Sequence, residues 1–435
     1  MATLEEDLLN LTPAQFVVKD LGERKFTPAQ KQSEIIDDKA RVLAQTKFTD
    51  PAQINPQLAW ELAGQREKIF FDPAETTVGV VNCGGLCPGL NDVIRAVTYA
   101  ALNHGVKRVI GFKYGWAGMA QETQTYVTLN YTNVNTIHML GGSFLGSSRG
   151  PVPVPTIVET LKELHINIVI CIGGDGTQRG SMELQEEIEL QGLKISVIGI
   201  PKTIDNDIKF ITRTFGFDTA VEKAREAIAS ANAEASSAQH GIGLVRLMGR
   251  DSGFIAAKAT LASGDVNICL VPEEKFTIPN LMAAIKMRLL RRDHCVIVVA
   301  EGAGTELLAA SSGGPIKDKS GNVSFGDIGP FLKNEITKYF KEQNMEITMK
   351  YIDPSYMIRS CVPTAADAAF CEELGNKAID SAISGKTGSI VGFWNEHFTL
   401  VPFRTIHRGR KKIELNGNLW GTVKKMTVDV LNPDL

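Results

Sequence analysis

The sequence predicts an α/β protein with mainly parallel sheets, built as two domains with an N-terminal extension. Three observations carry this. Short apolar runs rich in Val and Ile recur from Thr77 onward, as strands buried on both faces require. Helical segments separate most of those runs, the alternation expected where crossover helices join parallel strands. At 435 residues, 43% of them hydrophobic, the chain can bury two ordinary cores.

The elements follow in order. Residues 1–76 hold no strand-like run, and polar stretches such as Pro28–Lys39 read as helical, so this extension is expected to pack on the body or on a neighbouring subunit. Strands are predicted at Val78–Val81, Arg108–Phe112, Ile168–Ile172, Ser196–Ile200, Ile242–Leu247, Asn267–Val271, Val296–Ala300, Ile347–Tyr351 and Ser389–Phe393. Helices are predicted at Asn91–Leu102, Ser181–Leu190 and Asp218–Ile228. Pro151-Val-Pro-Val-Pro155 is too rich in proline to be helical and leads into the next helix. Thr305–Phe325, with its Ser, Gly and Lys clusters, is predicted to be a mobile surface loop.

Composition excludes several classes of partner. A formal charge of −3 gives no electrostatic case for nucleic acid or a membrane surface. No apolar run reaches the roughly 18 residues a spanning helix needs. Met1–Asp7 is acidic and unlike a signal peptide, and Asn432-Pro-Asp-Leu435 is no peroxisomal address. Seven scattered cysteines point to reduced thiols and a cytoplasmic location. Cys83 and Cys87 are the closest pair, and without a second ligand pair nearby their spacing suits packing rather than zinc.

The chemistry concentrates between Ile172 and Asp207. Ile172-Gly-Gly-Asp-Gly-Thr177 follows one buried strand, and Pro201-Lys-Thr-Ile-Asp-Asn-Asp207 follows the next. Ligands of open α/β sheets gather where strands end, so Asp175, Asp205, Asp207 and Lys202 are expected in one crevice. Three unneutralised carboxylates there would repel, and a magnesium ion and a proton-accepting role would relieve that repulsion, a set that suits a magnesium-bound polyphosphate. The plain alternative for Asp205-Asn-Asp207 is a turn whose side chains cap backbone amides.

Other constellations are less specific. Val78–Asn91 is a strand, a glycine turn and a helix start, equally suited to a tight turn and to a phosphate cradle. It matches neither a dinucleotide fingerprint nor a P-loop. Gly385-Lys-Thr387 ends a helix instead of opening one, so it is no P-loop either. Arg149, in Gly142-Ser-Phe-Leu-Gly-Ser-Ser-Arg149, is a solvated arginine or a phosphate clamp. Met248-Gly-Arg250 and Pro272-Glu273 each follow a strand. Lys350–Arg359 offers two cations and a tyrosine to a second, singly phosphorylated ligand; for Lys350 an inter-domain salt bridge is an equal alternative.

In this order the motifs resemble those of the phosphofructokinases, over about Val78 to Trp394. They are Gly-Gly-Leu-Cys-Pro-Gly-Leu-Asn, Gly-Gly-Asp-Gly-Thr, Pro-Lys-Thr-Ile-Asp-Asn-Asp, Met-Gly-Arg and Tyr-Met-Ile-Arg. The third is highly specific by itself. The resemblance implies two Rossmann-like three-layer domains with the active site between them. Residues 77–216 with 358–408 would form the larger, nucleotide-binding domain, and 217–357 with 409–435 the smaller, sugar-phosphate-binding one.

It also implies phosphoryl transfer from ATP to the 1-hydroxyl of fructose 6-phosphate, in a homotetramer or homodimer. Asp205 would be the general base, and Asp175 would hold Mg2+ with Asp207 close by. Gly85 would donate its amide, and Thr203 its hydroxyl, to the transferring phosphoryl group. Arg149 and Arg250 would offset its charge. Gly174, Gly176, Thr177 and Lys202 would line the donor. Trp116 would lie against adenine, with a core tryptophan equally compatible. Met248, Gly249, Arg250 and Glu273 would bind the sugar, and Lys350, Tyr356 and Arg359 its 6-phosphate.

Two positions bear on the donor. Pyrophosphate-using members usually carry a second aspartate at the position of Gly176, where a carboxylate repels the nucleotide's α-phosphate. Lys202 is the lysine of those same enzymes. Glycine with lysine resembles the ATP-dependent enzymes of plants and several protists, and exclusion by bulk and charge outweighs an added cation, so ATP is expected. A pyrophosphate-dependent enzyme and a catalytically silent regulatory subunit are the alternatives. Gly241 stands where bacterial members carry an arginine that reaches into the neighbouring subunit.

Overall fold

The computed structural model describes residues 4–29, 34–120, 125–150, 152–311, 316–317, 323–324, 326–407, 409–428 and 430–431. It divides into two compact units, Met1–Gly216 with Ser360–Arg410 and Phe217–Arg359 with Lys411–Leu435.

A nine-stranded sheet forms the first unit. Its order is Arg41–Leu43, Ala59–Leu62, His397–Pro402, Ser389–Trp394, Ser196–Pro201, Ile168–Gly173, Thr77–Asn82, Arg108–Phe112 and Tyr126–Leu129. The five strands from Ser389–Trp394 to Arg108–Phe112 are parallel, and the outer ones antiparallel. The three innermost are buried at every residue, which is why they read as unbroken apolar runs. Val81, Val169 and Val197 from these strands and Ile110 from Arg108–Phe112 share one core with Leu161, Leu184 and Phe403. Burying each such side chain contributes about 1.5–3 kcal/mol.

The second unit holds a four-stranded parallel sheet in the order Ile268–Leu270, His294–Ala300, Gly241–Leu247 and Thr348–Ile352. Helices Ile278–Arg292 and Ile328–Glu342 pack Leu281, Ile285, Leu332, Ile336 and Phe340 against Ile242, Ile297 and Val299. All nine predicted strands are present, with ends shifted by a residue or two.

Four expectations need correction. Strands do occur before Thr77: Arg41–Leu43 and Ala59–Leu62 continue the large sheet, and Lys19–Asp20 pairs with Lys386–Thr387. They are short, antiparallel and interrupted by charged residues, so no alternation announces them. Trp60 anchors them, fully buried, with its ring 4.3 Å from Phe16 and 5.7 Å from Phe210. The described part of Pro28–Lys39 is not helical (residues 30–33 lie outside the described residues); buried Ile36 is held by its N–H, which donates to Gln65 O at 2.8 Å. Finally, Thr305–Ser311 is a helix and Ile316–Lys317 pairs with Val323–Ser324, while 312–315, 318–322 and 325 lie outside the described residues. The proline run is also helical sooner than expected, since the helix Val154–Glu163 starts within it and takes proline in its first turn, where no donor is needed.

Candidate active site

In the first unit three neighbouring strands deliver the glycine turn and both aspartate motifs to the same sheet edge. Asn82 pairs with Ile172, and Gly173 with Pro201. After Asn82 the chain turns through Gly84 and then Gly89, the N-cap of the helix Leu90–Asn103. Gly89 has φ +90°, and a Cβ there would lie 2.5 Å from Cys371 Sγ, so only glycine fits. Lys202, 5% exposed, donates from Nζ to Gly85 O at 2.6 Å and so ties the second motif to this turn. Gly84 N donates to Ser148 O at 3.0 Å, and Ser147 Oγ to Gly84 O at 2.6 Å. Those bonds bring the segment ending in exposed Arg149 alongside.

Asp175 is the first residue of the helix Asp175–Leu190, with Gly174 as N-cap, where the helix dipole favours negative charge. His407 Nδ1 lies 3.7 Å from its Oδ1, and Arg179 Nη2 lies 3.6 Å from Oδ2. The His407 ring, aided by Arg179 and Arg410, holds this carboxyl below the usual range despite burial. A Cβ on Gly176 would meet nothing within 4 Å, so its missing side chain is not demanded by packing. Thr177 is buried.

The second motif folds into a bonded loop. Asp205 N donates to Thr203 Oγ1 at 3.1 Å, and Thr203 Oγ1 donates to Asp207 Oδ1 at 3.2 Å. Thr214 Oγ1 donates to Thr203 O at 2.7 Å, and Asn206 Nδ2 to Thr212 O at 3.2 Å. Arg410 Nη1 is 3.6 Å from Asp207 Oδ2. The capping turn is thus present, and it fixes the backbone of Asp205.

His407 and Arg410 have no counterpart among the expected site residues. They follow the sheet strand His397–Pro402, and their only sequence signal is charge after a strand end. Arg179 and Arg410 bring positive charge to Asp175 and Asp207 respectively, and the His407 ring lies against Asp175. Among the described residues no cluster of three His, Cys, Asp or Glu side chains could enclose a metal. Magnesium that shares a nucleotide's phosphates takes only one or two carboxylates from the protein. A single ionised Asp175 at a helix start fits that demand.

The second unit carries its own cluster at strand ends. Met248-Gly-Arg250 follows Gly241–Leu247, with Gly249 at φ +129° and room for no Cβ, because Ser252 O would lie 2.5 Å away. Glu301 follows the adjacent strand, its amide bonded to Leu247 O at 2.8 Å. Glu273 is committed elsewhere. Gly253 N donates to both its oxygens at 3.1 Å and Ile413 N to Oε1 at 2.9 Å, so it caps the helix Phe254–Ser263. Burial pushes its carboxyl upward. Lys350 pairs within this unit with Glu234 at 3.0 Å. Arg359 stacks over Tyr356 at 5.0 Å, and Tyr356 is 73% exposed. Trp116, back in the first unit, is 9% exposed and belongs to its core. At Gly241 a Cβ would lie 1.9 Å from Ala235 O, so no arginine can stand there.

A family model described as Phosphofructokinase matches residues 77–382. An ATP-dependent 6-phosphofructokinase of Trypanosoma brucei brucei is 47% identical over 386 residues, 88% of this chain and 78% of that protein. One from Borreliella burgdorferi is 42% identical over 431 residues, 95% and 96% of the two chains. A chloroplastic one from Arabidopsis thaliana is 45% identical over 361 residues, 82% and 67%. Among solved structures, a pyrophosphate-dependent phosphofructokinase from Marinobacter aquaeolei superposes with a TM-score of 0.67 at 19% identity, covering 79% of this chain and 87% of that one. At that identity the likeness is one of fold.

Proposed function

The chain belongs to the phosphofructokinase family, and from that premise we propose that it transfers the terminal phosphoryl group of ATP to the 1-hydroxyl of fructose 6-phosphate, giving fructose 1,6-bisphosphate and ADP. The observation that carries the choice of donor is Gly176. Its Cα faces open space, so the site has room where an aspartate would repel an α-phosphate. Relatives at 42–48% identity that bear the name ATP-dependent 6-phosphofructokinase support the same choice.

In this reading Asp205 takes the proton of the 1-hydroxyl, with Thr203 fixing its backbone. The Gly85 amide and the cations Arg149 and Arg250 offset charge on the phosphoryl group, where preorganised donors contribute most. Lys202 serves the donor while tethered to the glycine turn; Gly174 and Thr177 shape its bed. Asp175 would hold Mg2+, which supplies charge neutralisation on the phosphates. Met248, Gly249 and Arg250 hold the sugar, and Tyr356 and Arg359 the 6-phosphate. For the sugar hydroxyls we assign Glu301, because Glu273 already accepts from the backbone N–H groups of Gly253 and Ile413. A homotetramer or homodimer belongs to the same proposal, checked by light scattering. So does a cytoplasmic location, supported by seven free cysteines and checked by imaging.

Turnover with fructose 6-phosphate, Mg2+ and each donor separately tests the proposal. Activity with ATP is expected, and activity with pyrophosphate alone would overturn it. Gly176→Asp is expected to lower kcat/KM for ATP about tenfold or more, ~1.4 kcal/mol of transition-state binding. The new side chain meets no protein atom, so the fold should survive. Unchanged ATP kinetics in that variant would remove the steric account.

A further inference from the structure

We infer that Arg246 is a positioning residue: it sets the geometry of the segments that recognise the sugar phosphate and does not itself touch the ligand. The inference rests on the phosphoryl-transfer reading above. Arg246 is the penultimate residue of the strand Gly241–Leu247, and its side chain is only 16% exposed. Its Nη2 lies 3.0 Å from Glu301 Oε2, and its Nη1 lies 3.3 Å from Asp353 Oδ2 and donates to Ser355 Oγ at 2.8 Å. Its Nε lies 3.3 Å from Asp327 Oδ1.

These partners come from three separate segments. Glu301 directly follows the neighbouring strand His294–Ala300. Asp327 is the N-cap of the helix Ile328–Glu342, accepting from Gly329 N at 3.0 Å. Asp353 and Ser355 open the turn that leads from Thr348–Ile352 to Tyr356 and Arg359. That turn is closed internally by Ser355 N to Asp353 Oδ1 at 3.0 Å and by Met357 N to Pro354 O at 2.7 Å. In that turn Tyr356 and Met357 are each 73% exposed, so packing holds them little and the anchor at Asp353 and Ser355 matters more. One guanidinium therefore gathers the sugar carboxylate and the start of the 6-phosphate turn, two residues before Met248-Gly-Arg250.

The chemistry needs arginine. A planar fork can meet several acceptors in fixed directions, whereas the lysine ammonium is a point charge on a flexible stem. Three carboxylates, Glu301, Asp327 and Asp353, converge on this one cation. Without it they repel, and Glu301 and the turn move apart. Binding of fructose 6-phosphate then suffers, while the donor's residues, all in the first unit apart from Arg250, are unaffected.

The test uses the full chain with Arg246→Met, Arg246→Lys and Ser355→Ala, reading KM for each substrate, kcat and the melting temperature. Arg246→Met is expected to raise KM for fructose 6-phosphate about tenfold or more, with KM for ATP within about twofold and kcat within about threefold. Arg246→Lys should fall between it and the parent, and Ser355→Ala should raise the same KM about two- to fivefold. A merely structural arginine would lower stability without this split between substrates. An unmoved KM for fructose 6-phosphate in a folded Arg246→Met, or equal rises for both substrates, overturns the inference. If that variant does not fold, an unmoved KM in both Arg246→Lys and Ser355→Ala overturns it. Turnover by the unaltered chain is measured first. Its absence would sink the parent reading, whereas its presence with unmoved constants in the variants sinks only the role of Arg246.

Discussion

Replacing Asp205 by asparagine is expected to lower kcat with ATP and fructose 6-phosphate by about two to four orders of magnitude, the range that a positioned general base contributes. Asparagine keeps the shape and removes the proton acceptor. The loop should hold, because the bond that fixes this residue runs from its own backbone N–H to Thr203 Oγ1, and Thr214 secures Thr203 from the other side. KM for either substrate should change far less than kcat, since the interaction lost belongs to the transition state. Steady-state kinetics beside a melting curve checks this. Undiminished turnover in a well-folded Asp205→Asn would show that another group takes the proton, and Asp207, 3.2 Å from Thr203 Oγ1, would be the next to change.

The largest loss of stability is expected from Glu61→Gln. Glu61 is 2% exposed and faces Arg66 Nη2 at 2.7 Å and Lys386 Nζ at 2.7 Å, with Arg41 Nη2 at 3.5 Å. Arg66 is itself 2% exposed and also reaches Asp38 at 3.0 Å, while Lys386 reaches Asp20 at 3.2 Å. Neutralising Glu61 leaves two buried cations short of their nearest counter-charge. Breaking a buried pair from one side costs about 3–5 kcal/mol, because the surviving charge stays desolvated. The denaturant midpoint should fall accordingly. Glu75→Gln gives the contrast: its pair with Lys107, at 3.2 Å, has both side chains more than half exposed, and such pairs contribute about 0–1 kcal/mol. Equal midpoints for the two variants would mean that the cluster is not held by its charges.

That cluster also marks where reading the chain in one dimension stops. Strands such as Ile168–Gly173 are buried on both faces, so burial writes itself into the chain as an unbroken apolar run. The glycine and aspartate motifs were legible for a related reason. They sit at the ends of those runs, and the parallel topology brings neighbouring ends together. Ala59–Leu62 is nearly as buried, yet its Glu61 belongs to an ion cluster, and no local pattern distinguishes that from a solvated acid. Glu273 and Glu301 pose the same difficulty, each following a strand. One is consumed by Gly253 and Ile413, a partner 140 positions away; the other stands beside Arg246.

From the sequence alone come the fold class, the family, the two aspartate motifs at their strand ends and the glycine at 176, because each is set by residues close together in the chain. Only the tertiary structure assigns His407 to Asp175, Arg410 to Asp207, the N-terminal strands to the large sheet, and Arg246 to the three segments it gathers. Those assignments depend on side chains meeting through space, and a charged residue reads the same in sequence whether it ends in water, in a helix cap or in a site.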